Sequence, residues 1–258
     1  GQKKPLEGTA MIYVTGDTHG DFQRFQEEYF PEQKNMTKDD FVIICGDFGG
    51  VWDGSKRERR QLDRLEQLPF TLLFVSGNHE NFDRLAKYPV EEWNGGKIQR
   101  IRPHVIHLLR GQVFQLEGRR FFTMGGGKSH DIEDGILNPF AQDFQEQYVL
   151  YRGMGARFRV NHRTWWKEEL PSPQEYNQAR ETLEHINWSV DYIITHCAPN
   201  SILDQLGDRS YEHDQLTDFL EEVSSKAQFR YWLFGHYHDN RILDKRYVLL
   251  WEQIVRVL

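Results

Sequence analysis

With 258 residues, 38% of them hydrophobic and 14% aromatic, the chain has enough apolar mass for one sizeable domain with a filled core, or at most two. A net charge of −7 argues against a protein that coats nucleic acid, without excluding a local basic patch. Two cysteines, Cys45 and Cys197, exclude a disulfide framework and disfavour a zinc–thiolate cluster, and no apolar run approaches the ~18 residues of a membrane helix.

Residues 1–10 are polar and Met11 opens the first strand-like run. The expectation is therefore a vector-derived remnant or disordered tail over 1–10, with Met11 as the native start. No signal-peptide pattern is present, which predicts a cytoplasmic location. Met11 to Val14 are apolar and β-favouring, and the run stops at Asp17 and His19. Two residues apart on an extended backbone, these side chains point the same way, and a carboxylate and an imidazole so placed can share one metal ion. A helical pattern with Phe22, Phe25 and Tyr29 on one face predicts a first helix over 21–29, stopped by Pro31.

Phe41 to Cys45 is a second strand-like run, ending in Gly46-Asp47-Phe48-Gly49-Gly50. A helix is expected over 56–68, with Leu62, Leu65 and Leu68 inward and the charges of Lys56 to Arg60 on a solvated face. A third run, Phe70 to Val75, ends in Ser76-Gly77-Asn78-His79-Glu80. Strands alternating with helices predict right-handed parallel units. From Val105 the rhythm changes. Short runs at 105–109, 112–116 and 120–124, parted by Arg110-Gly111 and Glu117-Gly118, predict an antiparallel meander in a second sheet. His104, His107, Arg110 and the basic residues around them are expected at exposed edges and turns.

Gly125 to Gly135 is glycine-rich but lacks Walker spacing, so a nucleotide P-loop is a poor match. Residues 136–170 show no clear period, and a long irregular stretch in a compact domain is usually functional or mobile. Ser172-Pro173 with Glu175 predicts a capped helix to about Ile186, and a further helix fits 214–223. Two more apolar runs, 190–194 and 229–234, end in Thr195-His196-Cys197 and Gly235-His236-Tyr237-His238, and strand-like runs at 247–251 and 254–258 close the chain. No repeat or linker interrupts it, so residues 11–258 are expected to form one domain.

Five apolar runs thus end in turns that carry Asp, Asn or His. Any one of them is ordinary; five with one polarity point to oxygen and imidazole ligands converging at strand ends, a metal site.

GDTHG, GDFGG, GNHE, ITH and GHYH closely resemble, in order, the five motifs of the calcineurin-like metallophosphoesterases, over residues 16–238. The resemblance implies an α/β layered sandwich of two mixed β-sheets flanked by helices. It implies two divalent ions: Asp17, His19 and His238 would hold one, Asn78, His196 and His236 the other, with Asp47 bridging both. His79 would be the acid beside the substrate. Two cations so clamped offset the phosphoryl charge and make a water nucleophilic near neutral pH. Without thiolate ligands, manganese, iron, zinc and nickel are all acceptable.

One departure counts against a phosphoprotein phosphatase. Serine/threonine phosphatases of this superfamily follow the second motif's aspartate with an aspartate that orients the catalytic histidine and an arginine that grips phosphate. Here the positions read Phe48-Gly49-Gly50-Val51-Trp52, with Asp53 the next acid. A cation for the substrate is instead expected from Lys128 and His130, or from Arg159 and His162 on a lid-like segment. The competing functions are a monoester phosphatase, a phosphodiesterase or nuclease, and a non-enzymatic scaffold of the same fold. A scaffold should have lost ligands, and no ligand position is missing.

Overall fold

The computed structural model describes residues 10–207 and 211–258; the expected tail therefore lies, but for Ala10, outside the described residues. In chain order the first half contains β1 (Ile12–Thr15), β2 (Phe41–Ile44), α1 (Lys56–Glu66), β3 (Thr71–Phe74), α2 (Phe82–Leu85), β4 (Val90–Trp93), β5 (Gly96–Arg102), β6 (Val105–Leu108), β7 (Gln112–Leu116) and β8 (Arg119–Met124). There follow β9 (Ile136–Leu137), α3 (Phe144–Gly153), β10 (Arg159–Val160), α4 (Pro173–His185), β11 (Tyr192–Thr195), α5 (Asn200–Leu203), α6 (Gln215–Lys226), β12 (Tyr231–Phe234), β13 (Arg241–Leu243), β14 (Tyr247–Leu249) and β15 (Ile254–Arg256).

A seven-stranded sheet has the order β15-β1-β2-β3-β6-β5-β4, and a six-stranded one β13-β14-β12-β11-β8-β7. Both are mixed: β1, β2, β3 and β6 run parallel, as do β8, β11, β12 and β14, with antiparallel strands at the edges. The alternation of side chains along a strand explains why the central runs are apolar throughout. In β1, Ile12 and Val14 face the second sheet and pack with Ile43, Leu73, Phe121, Ile194 and Leu233. Tyr13, with Val42, Ile44, Leu72 and Phe74, packs on the opposite face against Leu62 and Leu65 of α1. On the far side of the second sheet, Phe122, Ile193 and Trp232 meet Ala179 and Leu183 of α4 and Phe219 and Leu220 of α6. Each such side chain taken from water contributes ~1.5–3 kcal/mol before entropy is counted. The result is the expected sandwich of two mixed sheets flanked by helices. No helix among the described residues is long and apolar enough to cross a membrane.

Four expectations are corrected. The segment after Asp21 forms two short 3-10 turns, Gln23–Phe25 and Pro31–Asn35, in place of a helix over 21–29. The meander is split between sheets: β6 joins the first, parallel to β3, while β7 and β8 pair in the second. His107 and Arg110 are buried, not exposed; His107 bonds Gln99 Oε1 through Nδ1 at 2.8 Å and stacks on Phe74 at 4.9 Å. Residues 136–170 are not irregular throughout: β9 and β10 pair in parallel, and α3 closes a small core of Leu137, Phe144 and Val160.

Candidate metal centre

Asp17 and His19 follow β1, Asp47 follows β2, Asn78 and His79 follow β3, His196 follows β11, and His236 and His238 follow β12. Parallel strands from both sheets thus deliver all of these side chains to one edge. The turns are tight. His19, Asp47, His236 and His238 all adopt positive φ, at 49°, 50°, 73° and 48°. Such backbone costs of order 1–3 kcal/mol per residue and persists where the surroundings over-determine it. Glycines before the polar residues permit the crowding. A Cβ on Gly77 would collide with the Asp47 carboxylate, and one on Gly235 with that of Asp17.

Ligand-type atoms gather in three overlapping groups: Asp17, His19 and His238; His19, Asp47 and His79; and Asp47, His196 and His236, each within 4.8 Å. Asp17 Oδ2 lies 3.3 Å from Nε2 of both His19 and His238. Asp47 Oδ2 is 3.5 Å from His19 Nε2, and its Oδ1 is 3.5 Å from His196 Nε2. Asn78 Oδ1 completes the second cluster, 3.1 Å from His196 Nε2.

The electrostatics call for cations. Burial pushes the Asp17 carboxyl up, but the charge of His196 and bonds from His19 and His238 outweigh it and hold it well below the ordinary range. Asp47 is likewise raised by burial yet held at about 2 by His196. Burial lowers His196, but Asp47 and Asp17 override it and raise the imidazole to about 10. In that charged form His196 donates Nδ1–H to the Cys45 carbonyl at 2.7 Å and Nε2–H to Asn78 Oδ1. Loss of the Nε2 proton would free a lone pair among oxygen donors, so a bound cation and this proton compete. Asp17 Oδ2 is buried with the His19 and His238 nitrogens at 3.3 Å, yet neither contact has hydrogen-bond geometry, a cost a cation would remove. The residues fit divalent metal binding, and Asp47 belongs to two of the three groups.

The surrounding bonds fix this set. Ser129 Oγ accepts from Asn78 Nδ2 at 3.2 Å and donates to buried Glu169 Oε1 at 2.6 Å, which turns the Asn78 oxygen toward His196. Arg24 donates to the Asp17 carbonyl at 2.6 Å, Thr15 Oγ1 at 2.8 Å and the Trp251 carbonyl at 2.6 Å, clamping the first motif to the chain end. Glu80 accepts from the amides of Phe48, Gly49 and Gly77, tying two motifs together; burial and the Asp47 charge push its carboxyl to about 7. Glu80 is legible as part of GNHE. No local signal reveals Arg24, Ser129 or Glu169.

A cavity of about 430 Å³ opens over Asp47, Asn78 and His236, walled by His79 and Asp131 and by His130, Tyr211 and Tyr237. Of the expected substrate residues, His130 lines it, with Nε2 3.1 Å from His236 Nε2. Arg159 reaches its margin, with Nη2 3.5 Å from His79 Nε2, while Nε and Nη2 grip Asp131 at 2.9 and 2.6 Å. An aspartate and an arginine thus stand beside His79 after all, from a different part of the chain. Lys128 and His162 do not line the cavity: Lys128 faces Glu212 at 3.8 Å, and His162 Nδ1 bonds Asp83 at 2.8 Å.

A family model for calcineurin-like phosphoesterases matches residues 10–240. The chain is also similar to lariat debranching enzyme A of Xenopus laevis, 27% identical over 150 residues that cover 51% of this chain and 27% of that protein. It is 26% identical over 140 residues to the lariat debranching enzyme of Danio rerio (48% and 23% covered), and 28% over 143 to that of Caenorhabditis briggsae (49% and 27%). The match spans about a quarter of the length of these relatives.

Proposed function

We propose a reaction from one premise: the chain belongs to the calcineurin-like phosphoesterase family. It is a metal-dependent hydrolase of phosphate esters, and its substrate is a phosphodiester. Asp17, His19 and His238 would hold one ion, Asn78, His196 and His236 a second, and Asp47 would serve both; manganese, iron, zinc and nickel suit this nitrogen and oxygen set. When bound, such a pair neutralises phosphoryl charge and activates water. Asn78, oriented by Ser129, presents an oxygen, and His79 supplies a proton to the leaving group.

The observation that favours a diester is the charge balance at the cavity. A phosphate monoester carries close to two negative charges at neutral pH, a diester one. The extra charge would want an arginine fork. Among the described residues, Arg159 is the arginine beside His79, and Asp131 already takes its fork in two bonds. Similarity to proteins named for lariat debranching supports an ester hydrolase reading without naming the ester.

The test compares bis(p-nitrophenyl) phosphate with p-nitrophenyl phosphate, which share a leaving group, on protein loaded separately with each metal. The diester should be favoured in kcat/KM by ~10-fold or more; a monoester preference would overturn the reading. Arg159→Ala should keep its metal content and raise KM by only ~2–10-fold, the size of one hydrogen bond. A loss above 100-fold would mean that Arg159 leaves Asp131 to grip a dianion, and would favour the monoester.

A further inference from the structure

The cavity of about 430 Å³ falls in the ~300–1,000 Å³ range of clefts that enclose organic ligands. Its wall away from His79 is aromatic. Tyr211 lies 5.3 Å from the His130 ring at 41° and 4.8 Å from Tyr237 at 68°. Tyr237 in turn packs on Phe234 at 6.0 Å and on His236 at 4.9 Å. Tyr211 and Tyr237 rest against the outer core of the second sheet, and both line the cavity. The wall is therefore anchored, and its rings lose little freedom when a ligand arrives. His130 is solvent-exposed and bonded through Nε2 to His236, so the same wall continues to the proposed metal ligands.

A rigid aromatic wall beside a phosphoester site matches one chemistry well. Every nucleobase has a π-face that stacks on tyrosine or histidine, and such stacking tolerates any base sequence. It also needs no cationic surface, which accords with a net charge of −7. We infer that Tyr211, with His130, forms a stacking subsite for the nucleobase of a nucleotidyl phosphodiester, and so sets a preference for nucleotide over simple alkyl esters. The subsite rests on the phosphoesterase reading for its place beside the reacting phosphate. It commits that reading to nucleotides, by a residue outside the ligand set.

Two arms test it on manganese-loaded protein. In the first, calorimetry measures binding of adenosine 5′-monophosphate and of methyl phosphate. Tyr211→Ala should weaken the nucleotide by roughly 5- to 150-fold, the range seen for loss of one stacked base, and leave methyl phosphate unchanged. Tyr211→Phe should keep nucleotide affinity. In the second arm, thymidine 5′-(p-nitrophenyl phosphate) and ethyl p-nitrophenyl phosphate are hydrolysed. Tyr211→Ala should raise KM for the first alone. An unchanged nucleotide affinity, or equal losses for both ligands in the alanine variant, overturns the subsite. If wild-type protein turns over monoesters but neither diester, the diester reading falls on its own, and the binding arm still decides the stacking role.

Discussion

Replacing Asp47 by asparagine is expected to leave a folded protein that has lost both its activity and most of its metal. Asp47 is buried, and its two oxygens face different clusters: Oδ2 lies 3.5 Å from His19 Nε2 and Oδ1 3.5 Å from His196 Nε2. Oδ1 also accepts the His79 amide at 2.8 Å. An amide side chain preserves this shape and can still accept the His79 amide bond, which is why folding should survive. What it removes is the negative charge that two cations would share. It also removes the main partner of the His196 imidazolium, whose high pKa depends first on Asp47 once burial is overcome. Loss of bridging costs several kcal/mol of charge stabilisation, or about 10³-fold in rate at 1.36 kcal/mol per decade. Elemental analysis and circular dichroism of the purified variant check both halves. A folded Asp47→Asn protein that still holds two ions tightly would remove Asp47 from the bridging position.

The candidate ligand positions are legible because each sits at a local signal, an apolar run that ends in a turn, and because the order of motifs matches a family. α4 was legible for the same local reason: Ser172 accepts from the Glu175 amide and Glu175 reaches back to the Ser172 amide, the capping box that Ser-Pro-x-Glu announces. What was hidden depends on distant partners. Nothing in the Val105 run says that it pairs in parallel with β3, where Val105 meets Leu72, and not with the hairpin that follows it; the alternation is the same in either sheet. Burial of His107 requires Gln99 on the adjacent strand and the face of Phe74 beneath it. Asn78 is oriented through Ser129 by Glu169, separated by 51 and 40 residues along the chain. Arg24 falls within 21–29, where only a short 3-10 turn forms, and it donates to the carbonyls at the end of the first motif. The sequence does not announce the Asp131–Arg159 pair, because only the β9–β10 pairing brings the two segments together.

His79→Ala should retain near-normal metal content and slow turnover by ~10²–10⁴-fold on esters with poor leaving groups. The position is ambiguous on geometry alone. His79 lies within metal-ligating reach of His19 and Asp47, yet its Nε2 is 3.5 Å from Arg159 Nη2 and its ring lines the substrate cavity. Metal content separates the two roles, since a ligand's removal would lower it and a proton donor's would not. Burial first, then Arg159 and His19, hold the imidazole below its ordinary value, against the pull of Asp47 and Asp131. A depressed pKa makes the protonated ring a stronger acid but a scarcer one. Wild-type turnover of alkyl esters should therefore decline as pH rises through that lowered value, because the donor proton is lost first. The His79→Ala variant should lack this limb. For p-nitrophenyl esters, whose leaving oxygen departs without protonation, both the limb and the loss in the variant should be small. Equal losses on alkyl and nitrophenyl esters, or a variant that has shed an ion, would assign His79 to the metals and leave the leaving group to water.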